Sequence, residues 1–249
     1  MSGKIFAGQL RVFPTPRERS RTAVAQPVYL LADSQLLFRR DRGGAFLREL
    51  RGRLDRPHPS AAYVGASNGD HPDLFALFAA AMEGIGITRV RMIPVAPTLA
   101  DEAFLATADL ILLAGGEVER GWKAMQANGV RRMVLRRHRE GAVVVGVSAG
   151  AVQLGMAGWR EGEATPDSTF PTFGLVPFVV DAHAEDDDWS TLRHLVQAGA
   201  GSVRGLGIPR GAGVLVHADG SVEAVRHPVA EIAFREREVT CSLLFPASP

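Results

Sequence analysis

Ser148 stands at the centre of Gly146-Val147-Ser148-Ala149-Gly150-Ala151, directly after the apolar run Ala142-Val143-Val144-Val145. A buried strand that breaks into small residues around a serine and then opens a helix is a strand–turn–helix with a hydroxyl at its apex. One glycine falls two residues before the serine and another two after it, as in the G-x-S-x-G elbow. Small neighbours permit the sharp turn and leave Oγ exposed above the sheet, while the helix start points unpaired amides at the same spot. That is the layout for nucleophilic attack on a carbonyl, with the amide of Ala149 as an oxyanion donor. Upstream, Leu113-Ala114-Gly115-Gly116-Glu117 ends another apolar run in paired glycines beside a helix start. In a parallel sheet the C-terminal ends of neighbouring strands share one crevice, so the amide of Gly116 can supply the second donor.

A serine nucleophile needs a base. Of the seven histidines, His58 and His71 fall in Pro- or Gly-rich loops and His138 in an Arg-rich helix end. His194 lies inside a helical stretch, His217 precedes a hairpin turn and His227 precedes a proline. His183 follows the apolar run Phe178-Val179-Val180, and Asp181-Ala182-His183 puts a carboxylate and an imidazole on one strand face. His183 is therefore the expected base.

Strands and helices must position these groups. Short apolar runs at 28–32, 61–64, 90–93, 110–113 and 142–145 read as strands buried on both faces. Helical segments are expected at 44–52, from Asp70-His71-Pro72 onward, after Thr98, at 118–128 and at 130–139. Alternation of this kind implies right-handed crossovers and a mostly parallel sheet with helices on both faces. After about residue 172 the texture changes. Runs at 214–217 and 222–225 flank Ala218-Asp219-Gly220-Ser221, a hairpin signal, and 231–239 and 240–245 read as further strands. These are expected as antiparallel additions. Residues 1–26 read as an irregular N-terminal extension and 27–249 as a single α/β hydrolase-like domain.

Bulk composition narrows the class. The 249 residues are 46% hydrophobic and 22% charged, with a net charge of +1. A near-neutral chain argues against a nucleic-acid binder, and the arginine pairs at 131–132 and 136–137 read as a solvated helix face. No apolar run reaches the ~18–20 residues that span a membrane, and residues 1–4 lead into no signal-peptide core. The single cysteine, Cys241, is expected to be a buried structural thiol in a reducing compartment. A cytoplasmic protein without metal or other cofactor is the expectation.

Taken together, Gly115-Gly116, the Ser148 segment, Gly174-Leu175-Val176-Pro177-Phe178, Asp181-Ala182-His183 and Gly205-Leu206-Gly207-Ile208-Pro209 resemble the serine peptidases that include peptidase E (aspartyl dipeptidase) and cyanophycinase. The resemblance covers roughly residues 28–226. It implies a class I glutamine-amidotransferase-like α/β fold, Ser148 as nucleophile, His183 as base, an oxyanion hole from Gly116 and Ala149, small peptides as substrates and no metal. Relatives dimerise, so a homodimer is an assembly to expect.

Two departures from that pattern bear on function. The third triad member of such peptidases is a glutamate near the position of Arg210, and an arginine cannot orient an imidazolium. Asp181 and Glu163 are the candidate substitutes, with Arg210 expected to turn away from His183, toward the acidic run or into solvent. The region past the histidine reads Ala184-Glu185-Asp186-Asp187-Asp188-Trp189, acidic where an aspartyl dipeptidase needs cations. Arg193 is the candidate substrate ligand. Non-catalytic ligand binding on the same fold is the alternative that Arg210 favours, and an esterase-type hydrolase is a third. A glutamine amidotransferase is disfavoured by the serine.

Overall fold

The runs that read as buried strands alternate sides along the chain. In Val28–Leu31, Val28 and Leu30 face one core cluster while Tyr29 and Leu31 face the other. The same alternation holds for Leu110 and Leu112 against Ile111 and Leu113. Sheets with both faces packed require this pattern, and each such side chain contributes about 1.5–3 kcal/mol by leaving water.

A computed structural model describes residues 26–38, 46–160 and 168–247. The elements of its first half are β1 (Val28–Leu31), α1 (Phe46–Gly52), β2 (Ser60–Val64), α2 (Pro72–Glu83), β3 (Arg89–Ile93), α3 (Leu99–Leu105), β4 (Leu110–Leu113), α4 (Val118–Ala127), α5 (Val130–Arg139), β5 (Val143–Val147) and α6 (Ala149–Leu154). There follow β6 (Ala157–Trp159), β7 (Thr169–Pro171), β8 (Phe178–Ala182), α7 (Ser190–Ala198), β9 (Arg204–Ile208), β10 (Gly213–Val216), β11 (Val222–Val225), β12 (Val229–Arg235) and β13 (Glu238–Leu244).

The main sheet has the order β11-β10-β1-β5-β4-β2-β3. Strands β1 to β5 pair in parallel, and β10 and β11 extend the β1 edge antiparallel. The fold is therefore the expected mostly parallel α/β sheet with antiparallel C-terminal strands. The runs expected as antiparallel additions, β10 to β13, do pair antiparallel, but β12 and β13 belong to a second sheet, β13-β12-β9-β8, in which β8 and β9 are parallel. Helix α7 makes the crossover that returns the chain in the same direction.

The inner face of this second sheet, through Phe178, Val180, Leu206 and Ile208, joins the cluster that contains Val144 and Leu154 of the main unit. Its outer face, through Val179 and Ile232, packs on Leu192, Leu195 and Val196 of α7. A small hairpin, β6–β7, follows α6 and pairs Trp159 with Thr169. The expected buried thiol is corrected: Cys241 is exposed, because β13 is an edge strand with most of its residues in solvent. Among the described residues no helix is long and apolar enough to cross a membrane.

Candidate active site

Strand β5 lies between β1 and β4, and its C-terminal end delivers Ser148 to the crevice that three strand ends share. Gly146 and Gly150 let helix α6 start there. A Cβ on Gly146 would stand 2.5 Å from the Gly150 carbonyl oxygen, and one on Gly150 would collide with the Leu113 carbonyl of β4. Ser148 itself has φ 49° and ψ −112°, a strained backbone for a residue with a side chain. Its N–H donates to the Leu31 carbonyl at 2.8 Å, which fixes the apex against β1.

His183 begins where β8 stops. The strand ends at Ala182, and His183 turns out of it with φ 50° while its N–H donates to the Ile208 carbonyl of β9 at 2.9 Å. The turn brings Nε2 to 2.8 Å from Ser148 Oγ. Strand alternation therefore does not carry through to His183, contrary to the one-face expectation, although Asp181 and His183 line the same pocket. That pocket, a cavity of about 210 Å³, opens in front of Ser148 and also takes in Gly116 and Ala149. Gly116 has φ 135°, and a Cβ there would strike the Ser67 carbonyl. The amides of Gly116 and Ala149 make no hydrogen bond with any described residue, so both are free to donate to a ligand.

Of the two carboxylates expected behind the histidine, Asp181 does not reach it. Asp181 Oδ1 accepts the Ala182 N–H at 2.9 Å and makes no hydrogen bond to His183, because the side chain folds back on its own strand. Burial pushes the Asp181 carboxyl up to about 6, helped by the Asp187 charge and opposed by the Ala182 N–H. Glu163 lies outside the described residues. Among the described residues, nothing accepts a hydrogen bond from His183 Nδ1.

Arg210 turns to the acidic run, pairing with Glu185 at 3.1 Å and Asp186 at 2.7 Å. Arg193 pairs with Asp188 at 3.1 Å and is not among the residues that line the pocket. At the first residue of α7, Ser190 Oγ donates to Asp187 Oδ2 of the run at 3.0 Å. Sequence reasoning missed Glu119 and Trp159, and it gave Glu117 no role, although all three line the pocket. Glu117 directly follows the paired glycines, a cue that was present; Trp159 carried none, since it arrives through the β6–β7 hairpin. Among the described residues no group of His, Cys, Asp and Glu side chains could hold a metal ion.

A serine hydroxyl against an imidazole, with two free amides beside it, is equipped for acyl transfer. Residues 42–223 match peptidase family S51, and the chain belongs to that family. The fold is similar to that of a peptidase from an acI-B1 Actinobacterium, with 13% identity, a TM-score of 0.67 and coverage of 90% of this chain and 96% of that one. It is also similar to a candidate peptidase E protein from Listeria monocytogenes EGD-e, with 15% identity, a TM-score of 0.58 and coverage of 81% and 98%. A search of curated protein sequences returns no significant match.

Proposed function

We propose that the protein is a serine exopeptidase of the dipeptidase type, hydrolysing small peptides through an acyl-enzyme on Ser148. The observation that carries this reading is the 2.8 Å contact between Ser148 Oγ and His183 Nε2 at a strained apex. His183 takes the hydroxyl proton as Oγ attacks the scissile carbonyl. The oxyanion is met by the amides of Gly116 and Ala149. As the intermediate collapses, the imidazolium gives its proton to the departing amine and leaves an ester on Ser148. Water, deprotonated by His183, then attacks the ester and frees the enzyme.

A second reading, ligand binding without turnover, draws on one observation: no described residue accepts a hydrogen bond from His183 Nδ1. An imidazole whose tautomer is not fixed is a weaker base.

Labelling with a fluorophosphonate probe, alongside a panel of dipeptides, separates the two. The wild-type protein is expected to label and to cleave, and Ser148→Ala to do neither. Undiminished hydrolysis by purified Ser148→Ala would sink the assignment, and wild-type protein that neither labels nor cleaves would leave the binding reading standing.

A further inference from the structure

Every fully charged side chain lining the pocket in front of Ser148 is acidic: Glu117 and Glu119 at the start of α4, and Asp181 on β8. Their situations differ. Glu119 is already paired, with Lys123 at 2.9 Å and Arg160 at 3.4 Å. Glu117 is exposed and its carboxylate has no partner among the described residues. Asp181 is only 8% exposed; its Oδ1 takes the Ala182 N–H, and its Oδ2 accepts from no described residue. The arginines that follow the histidine are engaged elsewhere, Arg193 with Asp188, Arg204 with Glu231 and Arg210 with Glu185 and Asp186. A buried carboxylate without a cation is costly, and a ligand that brings the cation relieves that cost.

An independent feature points the same way. Trp159 lines the same cavity, and an indole is the aromatic side chain that best attracts an ammonium or guanidinium. Two carboxylates without a cation and an indole, with no lysine or arginine among the lining residues, repel an acidic substrate and attract a cationic one.

We infer that this pocket selects a cation, ammonium or guanidinium, on the residue that acylates Ser148, with Glu117, Asp181 and Trp159 as its specificity-determining side chains. The inference rests on the peptidase reading and names its substrate class. The cation is the lysine or arginine side chain of that residue or its free α-amino group.

The test compares p-nitroanilides of lysine, arginine, alanine and aspartate, each with a free and with an acetylated amino group, as kcat/KM. Lysyl and arginyl substrates are expected to exceed aspartyl ones by about 100-fold, as two charge-assisted contacts give. If acetylation alone abolishes hydrolysis of the alanyl substrate, the α-amino group is the cation bound; if acetyl-lysyl substrate is cleaved well, the side chain is. Glu117→Gln should narrow the lysyl-to-aspartyl ratio about tenfold, and Glu117→Lys should invert it. Equal rates across the side chains and across acetylation, or a preference for aspartate, would overturn the inference.

Should neither hydrolysis nor labelling of Ser148 be seen, the peptidase reading fails separately. The charge preference is then read from binding of dipeptides to Ser148→Ala by calorimetry. Binding of Lys-Ala about tenfold tighter than Asp-Ala, or of Ala-Ala about tenfold tighter than its acetylated form, sustains the selection, and no preference in either comparison removes it.

Discussion

Replacing Asp181 by asparagine should make the protein more stable at neutral and alkaline pH. Burial raises this carboxyl from the ordinary aspartate value of 3.8 to about 6, so between those pH values the folded protein holds a proton that the unfolded chain has released. The stability this contributes is fully present below pH 3.8 and is lost as pH rises through 6. A rise of about two units at about 1.4 kcal/mol each amounts to about 3 kcal/mol. Asparagine has the same outline and no ionisation, so it escapes the loss. Its side-chain oxygen still accepts the Ala182 N–H, and the raised value already includes the stronger hydrogen bond that the carboxylate accepts there.

The variant should therefore gain about 3 kcal/mol at pH 8, or roughly 6–12 °C in Tm for a chain of this length, and little at pH 4. Melting curves of both proteins by circular dichroism from pH 4 to pH 8 provide the check. The difference should open between pH 4 and 6 and stay level above. A variant that melts lower at pH 8, or a difference that ignores pH, would refute the assignment of Asp181 as a carboxylate buried at a cost. The same change should slow hydrolysis of lysyl substrates, since groups kept against stability serve function.

Two further outcomes test the surroundings. Gly150→Ala drives a methyl group into the Leu113 carbonyl, and the urea midpoint should fall by the equivalent of about 1–3 kcal/mol; an unchanged midpoint would mean that β4 and α6 are less closely packed than described. Cys241, exposed on its edge strand, should react with Ellman's reagent in the folded protein at one equivalent, and Cys241→Ser should shift stability by less than about 0.5 kcal/mol. A thiol that reacts only after unfolding would contradict the placement.

The main sheet was legible because its strands are short apolar runs that bury both faces, as in residues 28–31 and 110–113. The Ser148 turn was legible because Gly146 and Gly150 occur where only a hydrogen fits. The second sheet was harder to read. Gly205 and Gly207 interrupt the apolar pattern of β9, and their reason lies across the sheet, where Leu192 and Trp189 of the α7 region fill the space a Cβ would occupy. Cys241 misled because the apolar side chains that follow it, Leu243 and Phe245, are themselves exposed. The pairing of Arg210 with Glu185 and Asp186 follows the expected turn away from His183, but the role assigned to Asp181 presumed that a strand's alternation continues one residue past its end. The acids and indole of the pocket belong to elements separated in the chain and follow no periodic pattern.

Ser148 rides on the main sheet and His183 on the second, and the two sheets meet through Val144, Leu154, Phe178 and Val180 in one core cluster. The separation of Oγ and Nε2 thus works as a gauge of how the sheets are seated. A slip of one sheet by an ångström leaves each strand ladder whole, yet it pulls the proton donor away from its acceptor, and reactions of this kind tolerate little such error. Mutations deep in that interlayer, far from any substrate, would then act as rheostats on turnover, and mild denaturant would silence the serine while both sheets still gave their full spectroscopic signal.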